Sequence, residues 1–134
     1  MSACVLDTDV VIAALDRGDA HHKSAARAFE RMAEEETDLL ISAVNYAEAL
    51  VRPAEDERAL RTAVDAVASL RIRVVAPDAT IARNAARHRG LGISLADGFA
   101  LATAAAHSAS VASFDKRVRR ALRPAGLHLC KPLA

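Results

Sequence analysis

The chain has 134 residues, which predicts one compact domain over residues 1–134 and excludes two domains of ordinary size. Apolar residues make up 52% of the sequence and charged residues 26%, a balance that excludes a disordered chain. The net charge of +1 hides an asymmetry, because residues 1–57 carry 13 acidic and 5 basic side chains, whereas residues 58–134 carry 4 acidic and 13 basic.

Five short runs of β-type residues alternate with helical stretches along the chain. They are residues 3–6, 39–41, 72–75, 111–114 and 127–130. Strands that alternate with helices are typical of α/β domains in which the strands run parallel. The sequence therefore predicts an α/β fold with a mainly parallel, five-stranded sheet flanked by helices.

The segments between these runs show helical periodicity. Apolar residues recur at i, i+3, i+4 and i+7 in two segments, namely Ala25, Ala28, Phe29 and Met32, and Leu60, Ala63, Val64 and Val67. Ser42 and Ser94 stand where helix N-caps belong, and Asp78 opens a further helix that Gly90 is expected to end. Residues 94–109 are rich in alanine with almost no polar face, which predicts a central buried helix.

Acidic residues follow two of the predicted strands. Asp7 comes directly after the first run, Asp9 stands two residues later, and Asp115 comes directly after the fourth run. Ligands of parallel α/β sheets bind beyond the carboxyl ends of the strands, so these are candidate site positions. Aspartate is also a common N-cap residue, which explains each position singly without any chemistry.

Two more carboxylates lie in apolar helical surroundings. Glu48 is set among apolar neighbours in the helix that begins after Ser42, and Asp97 stands three residues after Ser94, where a capping box would explain it. No convincing basic partner is near these positions in sequence. If Asp7, Glu48, Asp97 and Asp115 converge, their repulsion raises their pKa values unless a cation lies among them, and oxygen ligands favour Mg²⁺ or Mn²⁺.

Other functional classes lack support in the sequence. There is no glycine-rich nucleotide-binding loop, and the five histidines do not have zinc-ligand spacing. Only four residues are aromatic, which argues against base-stacking platforms of the kind found in single-strand-binding proteins. Cys4 and Cys130 are expected to be buried thiols in a reducing compartment. With no basic leader region and no uninterrupted apolar span, we expect a cytoplasmic protein without membrane association.

Four segments together resemble the PIN domain, and in particular the VapC-type toxin ribonucleases of bacterial toxin–antitoxin pairs. Their order and spacing fit that family over nearly the whole chain. The matching segments are Val5-Leu6-Asp7-Thr8-Asp9-Val10, Ile41-Ser42-Ala43-Val44 leading to Glu48-Ala49-Leu50, Ser94-Leu95-Ala96-Asp97, and Ser113-Phe114-Asp115-Lys116-Arg117.

The resemblance implies a Mg²⁺- or Mn²⁺-dependent endoribonuclease that inhibits translation, with tRNA or rRNA as the expected target. Asp7, Glu48, Asp97 and Asp115 would form the catalytic, metal-binding pocket. Thr8 and Ser113 match hydroxyl positions that support such a pocket, whereas the family fills the position of Asp9 variously, so no metal role is assigned to it. The resemblance also implies a homodimer that a small VapB-type antitoxin silences by covering the pocket.

Cationic residues directly after the last acidic position are candidates for RNA binding. Lys116 and Arg117 follow Asp115, so they are expected at the rim of the pocket, where they would offset its repulsion of phosphodiesters. The alternative is that they solvate a short helix or pair with the acidic first half of another subunit.

Two other functions remain open from the sequence. Asp7 and Asp9 also resemble the nucleophile motif of haloacid-dehalogenase-like phosphatases, in which Asp7 would attack phosphorus and Asp9 would serve as acid and base. That family needs a lysine midway through the chain, and the lysines here are Lys23, Lys116 and Lys131. The third possibility is a PIN-like binding module without catalytic activity.

Overall fold

The structure, a computed structural model, describes residues 2–133. Four parallel strands form its sheet in the order β3-β2-β1-β4, so the first strand lies in the interior of the sheet. The strands are β1 (Ala3–Leu6), β2 (Asp38–Ser42), β3 (Ile72–Val75) and β4 (Ser110–Ala112). The helices are α1 (Thr8–Leu15), α2 (His22–Glu34), α3 (Ala43–Leu50), α4 (Glu57–Ser69), α5 (Ala79–His88), α6 (Leu95–Ala106) and α7 (Lys116–Leu122).

The predicted parallel α/β architecture is confirmed, but the prediction of five strands is wrong. Residues 127–130 contribute an isolated bridge between Leu129 and Val111 instead of a strand. Two backbone hydrogen bonds, from Val111 to His128 and from Cys130 to Val111, are the extent of this pairing. The neighbouring β4 is only three residues long, and a 3₁₀ turn over Lys131–Leu133 carries the chain away from the sheet.

Alternate side chains of the strands fill two cores, one on each face of the sheet. Leu6 and Ile41 pack on one face with α1, α2 and part of α4, while Val5 and Leu40 pack on the other with α6 and α7. This is the two-residue period of strands buried on both faces. The sheet is thus covered by helices on both sides, and its carboxyl edge is left to form a site.

The predicted helix starts are confirmed, whereas two of the predicted ends are wrong. Ser42 and Ser94 are N-caps as expected, and Asp78 caps α5. The segment after α5 continues as a 3₁₀ turn through Gly90 and reverses at Gly92, whose φ of 81° is the left-handed conformation that glycine tolerates best. The helix α6 ends at Ala106, three residues before the predicted end.

The helix α6 is the central buried helix that the alanine-rich segment predicts. Six of its twelve residues are buried, including Leu101 and Thr103. Among the helices of residues 2–133, none has both the length and the apolarity needed to cross a membrane. Cys4 and Cys130 are also buried and are free thiols, as the sequence predicts, although they lie at opposite ends of the chain.

Gly98 permits the close approach of α5 and α6, and with it the position of Asp97. A Cβ atom at Gly98 would lie 2.5 Å from the carbonyl oxygen of Ala85, closer than side-chain atoms approach backbone. We expect Gly98→Ala to lower the free energy of unfolding by about 1–3 kcal/mol, because α6 must move away from α5. Urea denaturation measures this loss.

Gly90→Ala is the matched control for that substitution. A Cβ atom at Gly90 meets nothing within 4 Å, and the backbone there is not left-handed. Its free energy of unfolding should equal or slightly exceed that of the wild type. Equal stability of Gly98→Ala and Gly90→Ala would show that α5 and α6 are not in close contact at this point.

Candidate active site

Two aspartates stand at the carboxyl ends of neighbouring parallel strands. Asp7 follows β1 and caps α1, its Oδ1 accepting a hydrogen bond of 2.9 Å from the amide of Thr8. Asp115 stands three residues after the end of β4 and caps α7, its Oδ1 accepting a hydrogen bond of 2.7 Å from the amide of Arg117. Because β1 and β4 are paired in parallel, both carboxylates lie at the same edge of the sheet.

Ser113 joins these two aspartates. Its hydroxyl donates a hydrogen bond of 2.8 Å to Oδ2 of Asp7 and accepts one of 3.1 Å from the amide of Asp115. Arg119 in turn donates to the carbonyl of Ser113 at 2.7 Å and to the carbonyl of Leu133 at 3.2 Å. Ser113 is fully buried, so this network fixes the position of the Asp7 carboxylate.

Asp97 enters the pocket from α6. It belongs to a capping box with Ser94, whose hydroxyl accepts from the Asp97 amide while Asp97 Oδ2 accepts from the Ser94 amide. The negative charge of Asp97 is close enough to raise the pKa of Asp7. The capping role and the place in the pocket therefore belong to the same side chain.

Glu48 reaches the pocket through Thr8. The hydroxyl of Thr8 donates a hydrogen bond of 2.7 Å to Oε1 of Glu48, and the Nδ2 of Asn45 donates to that hydroxyl at 3.2 Å. Asn45 is fully buried, and its Nδ2 also donates to the carbonyl of Ala96 at 3.2 Å. This amide thus links α3 to the first residue of α1 and to the start of α6, beside Asp7 and Asp97.

Asp9 also belongs to the acidic cluster. Its Oδ2 accepts a hydrogen bond of 3.0 Å from the amide of Phe114, between Ser113 and Asp115. Its other oxygen is buried with no hydrogen-bond partner among the described residues. Burial is the main cause that raises the pKa of Asp9, and the charge of Asp115 raises it further. Asp9 therefore lies near both Asp7 and Asp115.

Asp7 is the most strongly perturbed of these carboxylates. Only 2% of it is exposed, and burial raises its pKa from 3.8 to about 7, with further contributions from the charges of Asp9 and Asp97. The hydrogen bonds from Ser113 and Thr8 act in the opposite direction but do not offset burial. A raised carboxyl pKa in a cleft marks a candidate functional site.

This raised pKa predicts how the stability of the metal-free protein depends on pH. Between pH 3.8 and about 7 the folded state keeps the Asp7 proton and the unfolded state has lost it. The free energy of unfolding therefore falls as the pH rises through this window, by at most about 1.4 kcal/mol per pH unit. In EDTA, wild type should lose stability relative to Asp7→Asn up to about pH 7, with a constant difference above it.

Urea denaturation of both proteins at several pH values, in EDTA throughout, measures this difference. Comparing the two proteins cancels the groups that titrate in both. A difference that is the same at pH 4, 5.5 and 7 would contradict a raised pKa for Asp7.

The donors of the pocket fit a hard divalent cation by their chemistry. Several carboxylates face one another, one oxygen of Asp9 has no partner, and none of them forms an ion pair within residues 2–133. In the same residues, no three His, Cys, Asp or Glu side chains are gathered tightly enough to form a metal site as they stand. Binding of Mg²⁺ or Mn²⁺ would relieve the repulsion and would require the carboxylates to move closer together.

An apolar groove of about 870 Å³ begins at the edge of this pocket. It lies between α1, α3 and α4, and Glu48 forms part of its wall. Ile12 and Val51, two of its apolar residues, are 36% and 64% exposed. The volume is within the range of ligand-binding clefts.

The sequence comparison identifies the family. The PIN domain model matches residues 4–123, which is most of the chain. The chain therefore belongs to the PIN domain family. A comparison of the sequence with curated proteins finds no match.

Solved structures of toxin–antitoxin proteins have a similar fold. VapBC2 from Rickettsia felis, bound to a DNA fragment from its promoter, is 19% identical with a TM-score of 0.75 over 96% of this chain and 97% of that one. VapC20 from Mycobacterium tuberculosis, a sarcin–ricin loop cleaving toxin, is 21% identical with a TM-score of 0.68 over 88% and 94%. VapBC-1 from nontypeable Haemophilus influenzae is 16% identical with a TM-score of 0.71 over 96% of each chain.

Proposed function

We propose that the chain is a Mg²⁺- or Mn²⁺-dependent endoribonuclease that acts as the toxin of a toxin–antitoxin pair. The observation that carries this proposal is the acidic pocket around the buried Asp7 at the carboxyl edge of the sheet, whose carboxylates lack a cation among the described residues. Asp7, Glu48, Asp97 and Asp115 would hold the ion, which would supply activation of water and neutralisation of charge on the phosphodiester. Membership of the PIN domain family and the toxin folds of its neighbours support the assignment.

The remaining polar residues of the pocket would orient these carboxylates. Ser113 holds Asp7 at a fixed distance from the backbone of Asp115, and Thr8 holds Glu48. Asn45 fixes Thr8 and the start of α6 at once. Hydrogen-bonding partners of metal ligands set ligand orientation, so these three side chains would determine how the pocket receives the ion.

Lys116 and Arg117 would bind the phosphodiester backbone of the RNA. Both are exposed in the first turn of α7, directly after Asp115, and neither forms an ion pair within the described residues. Cations at a helix N-terminus oppose the helix dipole, so helix stability does not explain their position. Binding of a phosphate does explain it, because the acidic pocket alone would repel the substrate.

The double substitution Lys116→Ala with Arg117→Ala tests this role. We expect weaker RNA binding and a log–log salt slope that is flatter by about 0.7 for each phosphate of a single strand that the variant no longer neutralises. Fluorescence anisotropy with a non-cleavable RNA across a salt series measures the slope. Arg58→Ala with Arg61→Ala on α4 removes the same charge elsewhere, and an equal effect of both double variants would contradict a specific role for Lys116 and Arg117.

Sequencing of RNA 5′ ends after inducible expression tests the proposed function itself. Wild type should generate new ends at one or a few defined sites, and Asp7→Asn, expressed to the same level, should generate none. Trapping of a phospho-aspartate at Asp7 with a small phosphorylated substrate would instead identify a phosphatase. Absence of new ends from a folded wild-type protein would favour a binding module without catalytic activity.

The apolar groove beside Glu48 is the proposed binding site of an antitoxin. The VapBC neighbours are complexes of toxins with antitoxins, which supports a partner of this class for the chain. A segment seated in the groove would cover the pocket, because Glu48 belongs to both. Growth arrest by the wild type should be relieved by co-expression of the antitoxin, whereas Val51→Glu should keep the arrest and lose the relief.

A further inference from the structure

An aromatic pair lies at the rim of the acidic pocket. The rings of His21 and Phe114 are stacked, with centroids 4.3 Å apart and an angle of 8° between their planes. His21 stands directly before α2 in a turn in which its amide donates to Asp19, whereas Phe114 precedes α7. Two segments that are distant in sequence thus meet through these rings.

The stack lies next to the groups that would act on a phosphodiester. Phe114 is flanked by Ser113, which is bonded to Asp7, and by Asp115, and its amide donates to Asp9. Consecutive Cα atoms are about 3.8 Å apart, so the Phe114 backbone is within one residue of the pocket. Lys116 and Arg117, the proposed phosphate-binding residues, follow on the other side of Asp115.

Burial of apolar area accounts for Phe114 but not for His21. Phe114 is half-buried against the core that includes Leu6 and Ile41, as expected of a phenylalanine. His21 is an exposed polar ring that covers Phe114 with one face, which leaves the rest of the imidazole to solvent. A flat ring supported from behind, beside a phosphodiester site, is what a nucleobase requires for stacking.

We propose that His21 and Phe114 form a stacking subsite for one unpaired nucleobase of the RNA substrate, adjacent to the phosphodiester that is cleaved. A single subsite of this kind differs from the extended base-stacking platform that the small number of aromatic residues argues against. This inference rests on the proposed ribonuclease function. Every base has a π-face, so such a subsite selects a base that is free to leave its helix and not a particular sequence. The substrate class is therefore an RNA loop or single strand, since bases inside a duplex cannot reach the imidazole.

A cycle of protein and RNA changes tests the subsite. The substrate is an RNA containing the cleavage site, made intact or with one abasic nucleotide on either side of that site. On intact RNA, His21→Ala should lower kcat/KM roughly 10-fold to 100-fold, and His21→Trp should retain or increase it. On one of the abasic RNAs, wild type and His21→Ala should cleave at equal rates, because the interaction is already absent.

The control variants separate stacking from a structural role. Thermal unfolding of His21→Ala shows whether α2 still packs, and His22→Ala changes the adjacent histidine, whose ring contacts the carbonyl of Ala13 instead. A fall in kcat/KM with His21→Ala that is the same on intact and abasic RNA would overturn the proposal. So would an unchanged kcat/KM on intact RNA, or a loss of antitoxin relief with unchanged cleavage.

Equilibrium binding keeps this test independent of the cleavage assay. The fluorescence of 2-aminopurine in an RNA single strand is quenched when the base stacks on an aromatic ring. Wild type should quench this fluorescence more than His21→Ala does, even in EDTA. Quenching without any RNA cleavage would retain the subsite and reject the ribonuclease. RNA cleavage by wild type without a difference in quenching between wild type and His21→Ala would retain the ribonuclease and reject the subsite.

Discussion

Asp7→Asn is expected to lower the rate of RNA cleavage by about 100-fold or more while the protein remains folded. Asp7 is the buried centre of the pocket, hydrogen-bonded to Ser113 and Thr8. An amide has nearly the same shape, but it lacks the negative charge that a hard divalent cation requires of its ligand. Single-turnover cleavage in Mn²⁺ or Mg²⁺ measures the reduction in rate.

Asp65→Asn is the matched control for this substitution. Asp65 is exposed on α4, away from the pocket, and its substitution by asparagine removes the same charge as Asp7→Asn does. It should cleave RNA at the wild-type rate. The metal-free Asp7→Asn protein should be at least as stable as wild type above pH 7. The variant lacks the buried carboxylate, whose raised pKa shows that its charged form destabilises the folded state. Full activity of a folded Asp7→Asn variant would remove Asp7 from the reaction.

Asn45→Ala is expected to lower activity by roughly 10-fold to 100-fold. Its Nδ2 donates to both Thr8 and the carbonyl of Ala96, and both acceptors lose a partly buried hydrogen bond when it is removed. Thr8 then no longer holds Glu48 in place, and the start of α6, which carries Asp97, loses its link to α3. Activity at saturating and at limiting Mn²⁺ separates weaker ion binding from slower cleavage.

Asn84→Ala provides the comparison for Asn45→Ala. Asn84 lies on α5, where its side chain accepts a hydrogen bond from Arg87, outside the pocket. Its cleavage rate should match that of the wild type. A fall in the activity of Asn45→Ala that saturating Mn²⁺ fully restores would locate the effect in ion binding. Unchanged activity at limiting Mn²⁺ would show that Thr8 and Asp97 need no support from Asn45.

Much of this site follows from chain order and elementary topology. Asp7 and Asp115 follow apolar runs, and parallel strands bring such residues to one edge, so their meeting is predictable from the sequence. Asp97 is predictable as a cap and as a pocket residue, and it is both. The capping interpretation and the functional one are therefore not alternatives, since a helix that begins at the pocket places its own cap there.

Thr8 and Ser113 are expected near the pocket from the family resemblance, whereas the tertiary contacts of Asn45 and His21 are beyond prediction. Asn45 precedes Glu48 by about one helical turn, and an asparagine among apolar helical residues indicates a buried polar contact. The sequence does not reveal its partners, because Thr8 and Ala96 belong to two other elements. The stack of His21 on Phe114 depends on how α2 meets the start of α7, which no local pattern contains. The fifth strand was predicted wrongly because an apolar run does not reveal whether its neighbour is long enough to pair with it.

Dependence of RNA cleavage on a divalent cation tests the proposed metal-dependent ribonuclease activity. Purified wild type, freed of metal with EDTA and then dialysed, should not cleave RNA, and added Mn²⁺ or Mg²⁺ should restore cleavage at the same sites. Asp7→Asn treated identically should show no restoration. Undiminished cleavage by wild type in EDTA, with products ending in a 2′,3′-cyclic phosphate, would contradict a metal-dependent mechanism and indicate attack by the RNA 2′-hydroxyl.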